Sequence, residues 1–220
     1  MEQVWCKVDE YITDKLIPTD DVLEQALSKN KQAGLPEIDV SPAQGKMLYL
    51  LAKTKGARRI LEIGTLGGYS TIWLARALEE DGELITLEAV SQHVEIAQQN
   101  INRAGLAERV TILQGKALDT LPQLKERDTL PFDLIFIDAD KPNNPNYLKW
   151  ALDFSKKGTV IIADNVVRNG SVIHAADQDE RVKGTREFFD LLKQEPRIEA
   201  TAIQTVGEKG YDGFVYGIVK

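Results

Sequence analysis

A chain of 220 residues, 43% hydrophobic and 28% charged, carries enough apolar side chains for a sizeable core, which excludes a disordered or fibrous protein. Its net charge of -7, without a long run of Lys or Arg, argues against a nucleic-acid partner, whose phosphates call for a basic footprint. Cys6 is the only cysteine, so an intrachain disulfide and a thiolate zinc site are both ruled out, and no stretch approaches the roughly 18 apolar residues of a membrane span.

Residues up to about Thr54 read as helices separated by breakers: Val4 to Leu16, Asp20 to Lys31 beyond Pro18, and Pro42 to Thr54. Ser41 is the expected cap of the third, with Pro42 at its first helical position. Glu2, Asp9 and Glu10 interrupt the apolar residues at the start in a way that does not suit a secretory leader, so a cytoplasmic location is expected. From Arg59 onward, short apolar runs alternate with amphipathic stretches, the pattern of strand-helix-strand units. Strands are predicted at Ile60 to Ile63, Glu83 to Leu87, Val110 to Gln114, Leu134 to Ile137 and Thr159 to Ala163. A last helix, from about Asp179 to Gln194, precedes the runs Ile198 to Thr205 and Gly213 to Val219, whose link is too short for a helical crossover and therefore makes them antiparallel. The expected fold is α/β, a doubly wound (Rossmann-like), mostly parallel seven-stranded sheet with a C-terminal antiparallel hairpin and extra N-terminal helices. One domain over 1–220 is expected, with 1–54 as a helical extension and 55–220 as the α/β core.

The segment Leu61-Glu62-Ile63-Gly64-Thr65-Leu66-Gly67-Gly68-Tyr69-Ser70 leaves a buried strand, turns on glycine and enters a helix from Thr71 to Leu78, a place where backbone can approach a ligand closely. Its Gly-x-x-Gly-Gly spacing is neither the Gly-x-Gly-x-x-Gly of dinucleotide folds nor a P-loop with its lysine. Glu62, inside the strand, offers a carboxylate to a cationic amino group or a ligand N–H. Glu88, about twenty residues beyond the turn at the end of the next strand, is placed to accept from ribose hydroxyls. Together these features imply a nucleoside held without a phosphate cradle.

The fourth strand delivers Asp138-Ala139-Asp140-Lys141 to its tip, and the fifth ends at Asp164-Asn165 on the same edge of the sheet. Two carboxylates and an amide oxygen suit a hard divalent ion such as magnesium, calcium or manganese better than zinc. Lys141 is the general-base candidate toward a hydroxyl, provided desolvation and neighbouring positive charge lower its pKa. His93 and His174 have no ligand-spaced partner and are assigned no chemistry, while Trp5, Trp73 and Trp150 fall on apolar helix faces suited to packing.

These motifs, with Gln114-Gly115-Lys116-Ala117 and Asn169-Gly170, together resemble the small metal-dependent O-methyltransferases related to the catechol and caffeoyl-coenzyme A enzymes, in particular their bacterial members. The resemblance covers nearly the whole chain. It implies transfer of a methyl group from S-adenosylmethionine to a hydroxyl of a small ortho-dihydroxy aromatic of catechol, caffeoyl or flavonoid type. It implies S-adenosylmethionine contacts from Val40, Glu62, Gly64, Ser70, Glu88 and Ala117, with Thr65, Gly68, Tyr69, Gly115 and Asp138 in the same set. Asp138, Asp164 and Asn165 would hold the cation, magnesium before calcium or manganese, and Lys141 with Asp138 would be catalytic. A homodimer, a phenolic small-molecule substrate and no nucleic-acid or membrane partner complete the expectation. Asp140 stands where the catechol enzymes carry a tryptophan wall. An ungapped comparison puts Val206, with Glu208 two residues on, where they carry the acid that holds the second hydroxyl. The segment Gly207 to Gly213 is expected to shape the acceptor pocket. A nicotinamide oxidoreductase would need the missing dinucleotide turn, and a nucleic-acid methyltransferase an Asn-Pro-Pro-aromatic tetrad where Asp164-Asn165-Val166-Val167 stands. A non-catalytic nucleoside-binding module would bind the demethylated product without metal-dependent turnover.

Overall fold

The computed structural model describes residues 2–126 and 130–220. A seven-stranded sheet runs in the order β3-β2-β1-β4-β5-β7-β6. Its strands are β1 (Arg59–Ile63), β2 (Glu83–Glu88), β3 (Val110–Gln114), β4 (Phe132–Ile137), β5 (Ser155–Asp164), β6 (Ile198–Gly207) and β7 (Gly210–Val219). The first five are parallel, and β7 enters antiparallel between β5 and the edge strand β6. This is a doubly wound, Rossmann-like architecture with an antiparallel C-terminal hairpin and helices gathered at the N-terminus.

The central strands read as unbroken apolar runs because helices cover both faces of the sheet. Leu134, Phe136, Val160 and Ile162 point into one core, formed with α3 (Pro42–Lys55), α4 (Tyr69–Ala77) and α5 (Ser91–Arg103). Their alternating neighbours Ile135, Ile137, Ile161 and Ala163 point into a second, against α7 (Asn144–Asp153) and α8 (Glu180–Gln194). The cap of α3 forms as expected: Ser41 Oγ accepts from the Gln44 amide at 3.2 Å, Pro42 opens the helix, and Gly56 closes it in the left-handed region at φ 62°. Before it lie α1 (Glu2–Leu16) and α2 (Asp21–Gln32), the latter capped by Asp20. No described helix is long and apolar enough to cross a membrane.

Register fixes where the site can be. Ile63 pairs with Leu87 and with Ile137, and Ile137 with Ala163, so these residues form one row across the sheet. The next residues, Gly64, Glu88, Asp138 and Asp164, therefore leave at the same edge.

The boundaries that differ most from the sequence expectation lie in the last three strands. β5 begins four residues early, at Ser155, because its polar start pairs with Phe132 through a register shift before the apolar run begins. β6 and β7 close on each other through the Glu208-Lys209 turn, with Gly207 paired to Gly210, so most of the expected link is strand. Edge pairing of this kind leaves β6 exposed along most of its length, and an exposed strand has no apolar signature to read.

Candidate active site

A cavity of about 1060 Å³ opens over the shared edge. It exceeds the usual range for a single small-molecule site, roughly 300–1,000 Å³, and has room for two ligands side by side. Gly64, Thr65, Leu66, Ser70, Glu88, Gly115 and Ala117 line one end, and Asp138, Lys141 and Asn165 line the other, with Val40 between the first turn of α3 and the glycine turn.

At the first end the glycine turn is built by close backbone approach. Gly64 has φ 101°, and a Cβ there would collide with the Asp138 carbonyl oxygen. Glu88 ties the turn to the β2 tip, its Oε2 accepting from the Leu66 amide at 2.8 Å and its Oε1 from the Val90 amide at 2.9 Å. It still faces the cavity, so lone pairs remain for ligand hydroxyls. The loop carrying Val40 is joined to the same turn by a buried relay. Asn30 Nδ2 donates to Asp39 at 2.9 Å, and Asn100 Nδ2 donates to Asn30 Oδ1 at 3.0 Å and to the Gly67 carbonyl at 2.9 Å.

Glu62 is placed otherwise than the sequence suggested. It is fully buried and does not line the cavity; Ser70, Thr71 and Thr86 hydroxyls donate to it at 2.6, 2.5 and 2.7 Å. Burial pushes its carboxyl up to about 7 even though the three hydroxyls pull it down. It braces the turn from beneath, with both carboxyl oxygens engaged by hydroxyls. Gly68 and Tyr69 likewise form the turn and helix start behind the lining residues.

At the second end, Lys141 Nζ lies 2.9 Å from Asp138 Oδ1, and Lys141 is almost fully buried. Burial and the Asp138 charge raise the Asp164 carboxyl above the usual carboxylate range, while Lys141 and a 2.8 Å hydrogen bond from Gln44 Nε2 oppose the shift. Asp138, Asp164 and Lys141 are thus within electrostatic reach of one another, and Asn165 joins Asp138 on the cavity wall with a left-handed backbone at φ 54°. Asp164 itself sits behind the wall. The described residues contain no cluster of three His, Cys, Asp or Glu that could hold a metal, so a cation here would depend on the Asn165 amide as well as the two acids.

Asp140 is occupied: it accepts from Tyr147 Oη and from Asn143 Nδ2, both at 2.5 Å, giving a polar wall in place of an aromatic one. Burial, then the Asp140 carboxylate, push the Tyr147 hydroxyl up. Val206 and the 207–213 segment do not line the cavity; the segment bears on it through Asp212, whose Oδ1 accepts from the Val167 and Arg168 amides of the loop that does. The tip of the segment rests on α1, where Asp9 Oδ2 accepts from the Glu208 amide at 2.8 Å.

Sequence reasoning passed over several polar or aromatic lining residues. His93 faces Glu88, with Nδ1 3.4 Å from Oε1, and its position on the first turn of the helix after that acid was the available signal. Tyr147, Arg168 and Arg181 also line the cavity. Arg168 sits inside the motif that ends at Asn169-Gly170, but only the fold shows which way its loop turns.

The family model described as O-methyltransferase matches residues 15–211. A catechol O-methyltransferase from Niastella koreensis is 51% identical over 99% of both chains. A caffeoyl-CoA O-methyltransferase from Zinnia elegans is 38% identical over 72% of this chain and 68% of its own. Among solved structures, the O-methyltransferase from Bacillus cereus in complex with SAH superposes with a TM-score of 0.99 at 57% identity, covering all of both chains.

Proposed function

The chain belongs to the O-methyltransferase family and is an S-adenosylmethionine-dependent enzyme related to the catechol and caffeoyl-CoA O-methyltransferases; on that premise we propose that it methylates one hydroxyl of a small ortho-dihydroxy aromatic in a divalent-metal-dependent reaction. The observation that carries the finer reading is the group of half-buried Asp138 and Asn165 with buried Asp164 and Lys141 at the cavity end opposite Glu88.

The donor set fits a hard cation: the ligating atoms it offers are oxygens, and burial with the Asp138 charge raises the Asp164 carboxyl against the pull of Lys141, the Asn165 backbone amide and Gln44. Asp138, Asp164 and Asn165 would hold that ion, magnesium first, with calcium or manganese as alternatives. When bound, it supplies Lewis acidity toward a phenolic oxygen.

The remaining work falls to the chain. Glu88, Thr65, Ser70, Val40, Gly115 and Ala117 hold the nucleoside of the methyl donor, and Gly64 with the Asp138 backbone sets the wall along which donor and acceptor meet. Lys141, in its neutral form, accepts the hydroxyl proton at Nζ. The phenolate oxygen then forms a bond to the methyl carbon as the carbon–sulfur bond breaks and its electron pair returns to sulfur. Fixing the two reactants in line contributes most of the acceleration, since proximity alone is worth up to about 7–11 kcal/mol.

Membership of a homodimer and residence in the cytoplasm belong to the same reading. Val4, Val8, Tyr11 and Leu16 leave an exposed apolar stripe on α1 that supports a self-contact, which light scattering tests directly. The function is tested by product formation from ortho-dihydroxy aromatics with and without chelator. Turnover that stops with chelator and returns with magnesium is expected; methylation unaffected by chelator removes the metal from the reading.

A further inference from the structure

We propose that the acceptor carries a carboxylate and that Arg168 binds it. The inference rests on the proposed function and narrows its substrate class from ortho-dihydroxy aromatics in general to their acids.

The loop after β5 turns twice into the left-handed region, at Asn165 (φ 54°) and at Arg168 and Asn169 (φ 55° and 53°). Such conformations are unfavourable for residues with a Cβ and persist only where the surroundings impose them. Here Asp212 does so: its Oδ1 accepts from the Val167 and Arg168 amides at 2.8 and 3.0 Å. The loop therefore presents the Arg168 side chain to the same cavity that Asn165 lines, three residues beyond the proposed cation ligand.

The guanidinium arrives incompletely satisfied. Its Nε is buried without a hydrogen-bond partner among the described residues, and its Nη1 lies 3.7 Å from Asp212 Oδ2, an ion-pair distance too long for a hydrogen bond. A buried N–H without an acceptor is costly, and more so on a charged group. The nearby acids do not supply one: Asp140 is engaged by Tyr147 and Asn143, and Asp138 by Lys141. Arg181, from the first turn of α8, adds a second guanidinium to the same lining. With Nε enclosed, the edge open to a ligand is the Nη1–Nη2 pair. That pair makes no hydrogen bond among the described residues and matches a planar carboxylate in two parallel hydrogen bonds, which a neutral catechol ring does not provide.

The test compares 3,4-dihydroxybenzoate with its methyl ester, which has nearly the same shape and no charge. In the unaltered enzyme kcat/KM for the acid should exceed that for the ester by about 10- to 100-fold. In Arg168→Gln that ratio should fall toward one, chiefly through KM for the acid, with Arg168→Lys intermediate and SAH affinity serving as the check on folding. Equal use of acid and ester by the unaltered enzyme, or a preference that survives in Arg168→Gln, overturns the inference and leaves the proposed function standing. If neither compound is methylated, calorimetric titration of the SAH-loaded protein with 3,4-dihydroxybenzoate decides. Binding that Arg168→Gln abolishes upholds the anion site while the proposed function falls, and binding indifferent to Arg168 sinks both.

Discussion

The two ends of the cavity are built on opposite principles. Around the glycine turn the polar groups are matched before any ligand arrives: Glu62 holds three hydroxyls, Glu88 bridges two amides, and the Asn30–Asn100 relay fixes the loop that carries Val40. Around Asp138 they are left unfinished, with the Asp138 charge raising the Asp164 carboxyl, an arginine Nε without a partner among the described residues, and left-handed backbone at Asn165 and Arg168. A preformed end minimises the ordering lost on binding, whereas an unsatisfied end reserves its electrostatics for the groups it will meet. On the proposed assignment of the two ends, loss of one contact at the nucleoside end should cost affinity more than turnover, and at the acceptor end turnover more than affinity.

Substitution at each end separates them. Asp138→Ala removes one proposed cation ligand and strands Lys141, so product formation at saturating acceptor should fall by about 10³-fold, in the range seen for loss of a key electrostatic group. SAH affinity, measured by calorimetry, should change far less. Turnover within a few-fold of the unaltered enzyme would show that the acceptor end is not where the chemistry resides. Glu88→Ala should do the opposite, weakening SAH binding by about 100-fold, since charge-assisted hydrogen bonds are worth roughly 1.5–3 kcal/mol each. A variant that binds SAH normally but turns over slowly would erase the distinction.

What the sequence could show follows the same division in part. Strands buried on both faces announce themselves as apolar runs, and the residue after such a run sits at the tip, so Gly64, Glu88, Asp138 and Asp164 were all legible. The β6–β7 hairpin was found, but its ends were not, because Thr205 pairs with Asp212 on an exposed edge where polar residues are free to stand. Glu62 could not be placed from its position alone: nothing in the spacing shows that Ser70, Thr71 and Thr86 converge on it from a helix and a neighbouring strand. Arg168 was hidden for a related reason, since a side chain's direction out of an irregular loop depends on backbone conformation that no periodicity encodes.

A subtler break of the acceptor end leaves its chemistry-bearing groups intact. Gly184 on α8 is packed against the Lys141–Pro142 backbone, and a Cβ there would collide with the Lys141 carbonyl. Gly184→Ala must shift α8 or the Lys141 segment, at about 1–3 kcal/mol of stability. If Lys141 is the proton acceptor, kcat should drop by about tenfold while SAH affinity holds, because a displaced general base loses part of its roughly 10²–10⁴-fold contribution. An unchanged kcat in a folded variant would mean that α8 moves instead and that Lys141 is held by Asp138 alone.

The effect expected at the finished end leaves turnover aside and is read in stability alone. Glu62 keeps its proton to about pH 7 in the fold against 4.5 ordinarily, because burial disfavours its charge more than three hydroxyls favour it. Between these values the native state binds more protons than the unfolded chain, so stability falls as pH rises. The contribution of Glu62 is thus fully present below about pH 4.5 and lost by about pH 7. Glu62→Gln keeps a neutral side chain of the same shape at every pH and removes that dependence. The difference in unfolding free energy between the two proteins should therefore move in favour of the variant by up to about 3 kcal/mol across this window and stay level above it. Denaturant unfolding in a series of buffers reads the difference directly, since the other titrating groups are common to both proteins. A difference that is flat from pH 4.5 to 7 would mean that the three hydroxyls hold a full negative charge beneath the turn, and that the nucleoside end carries stored electrostatic energy after all.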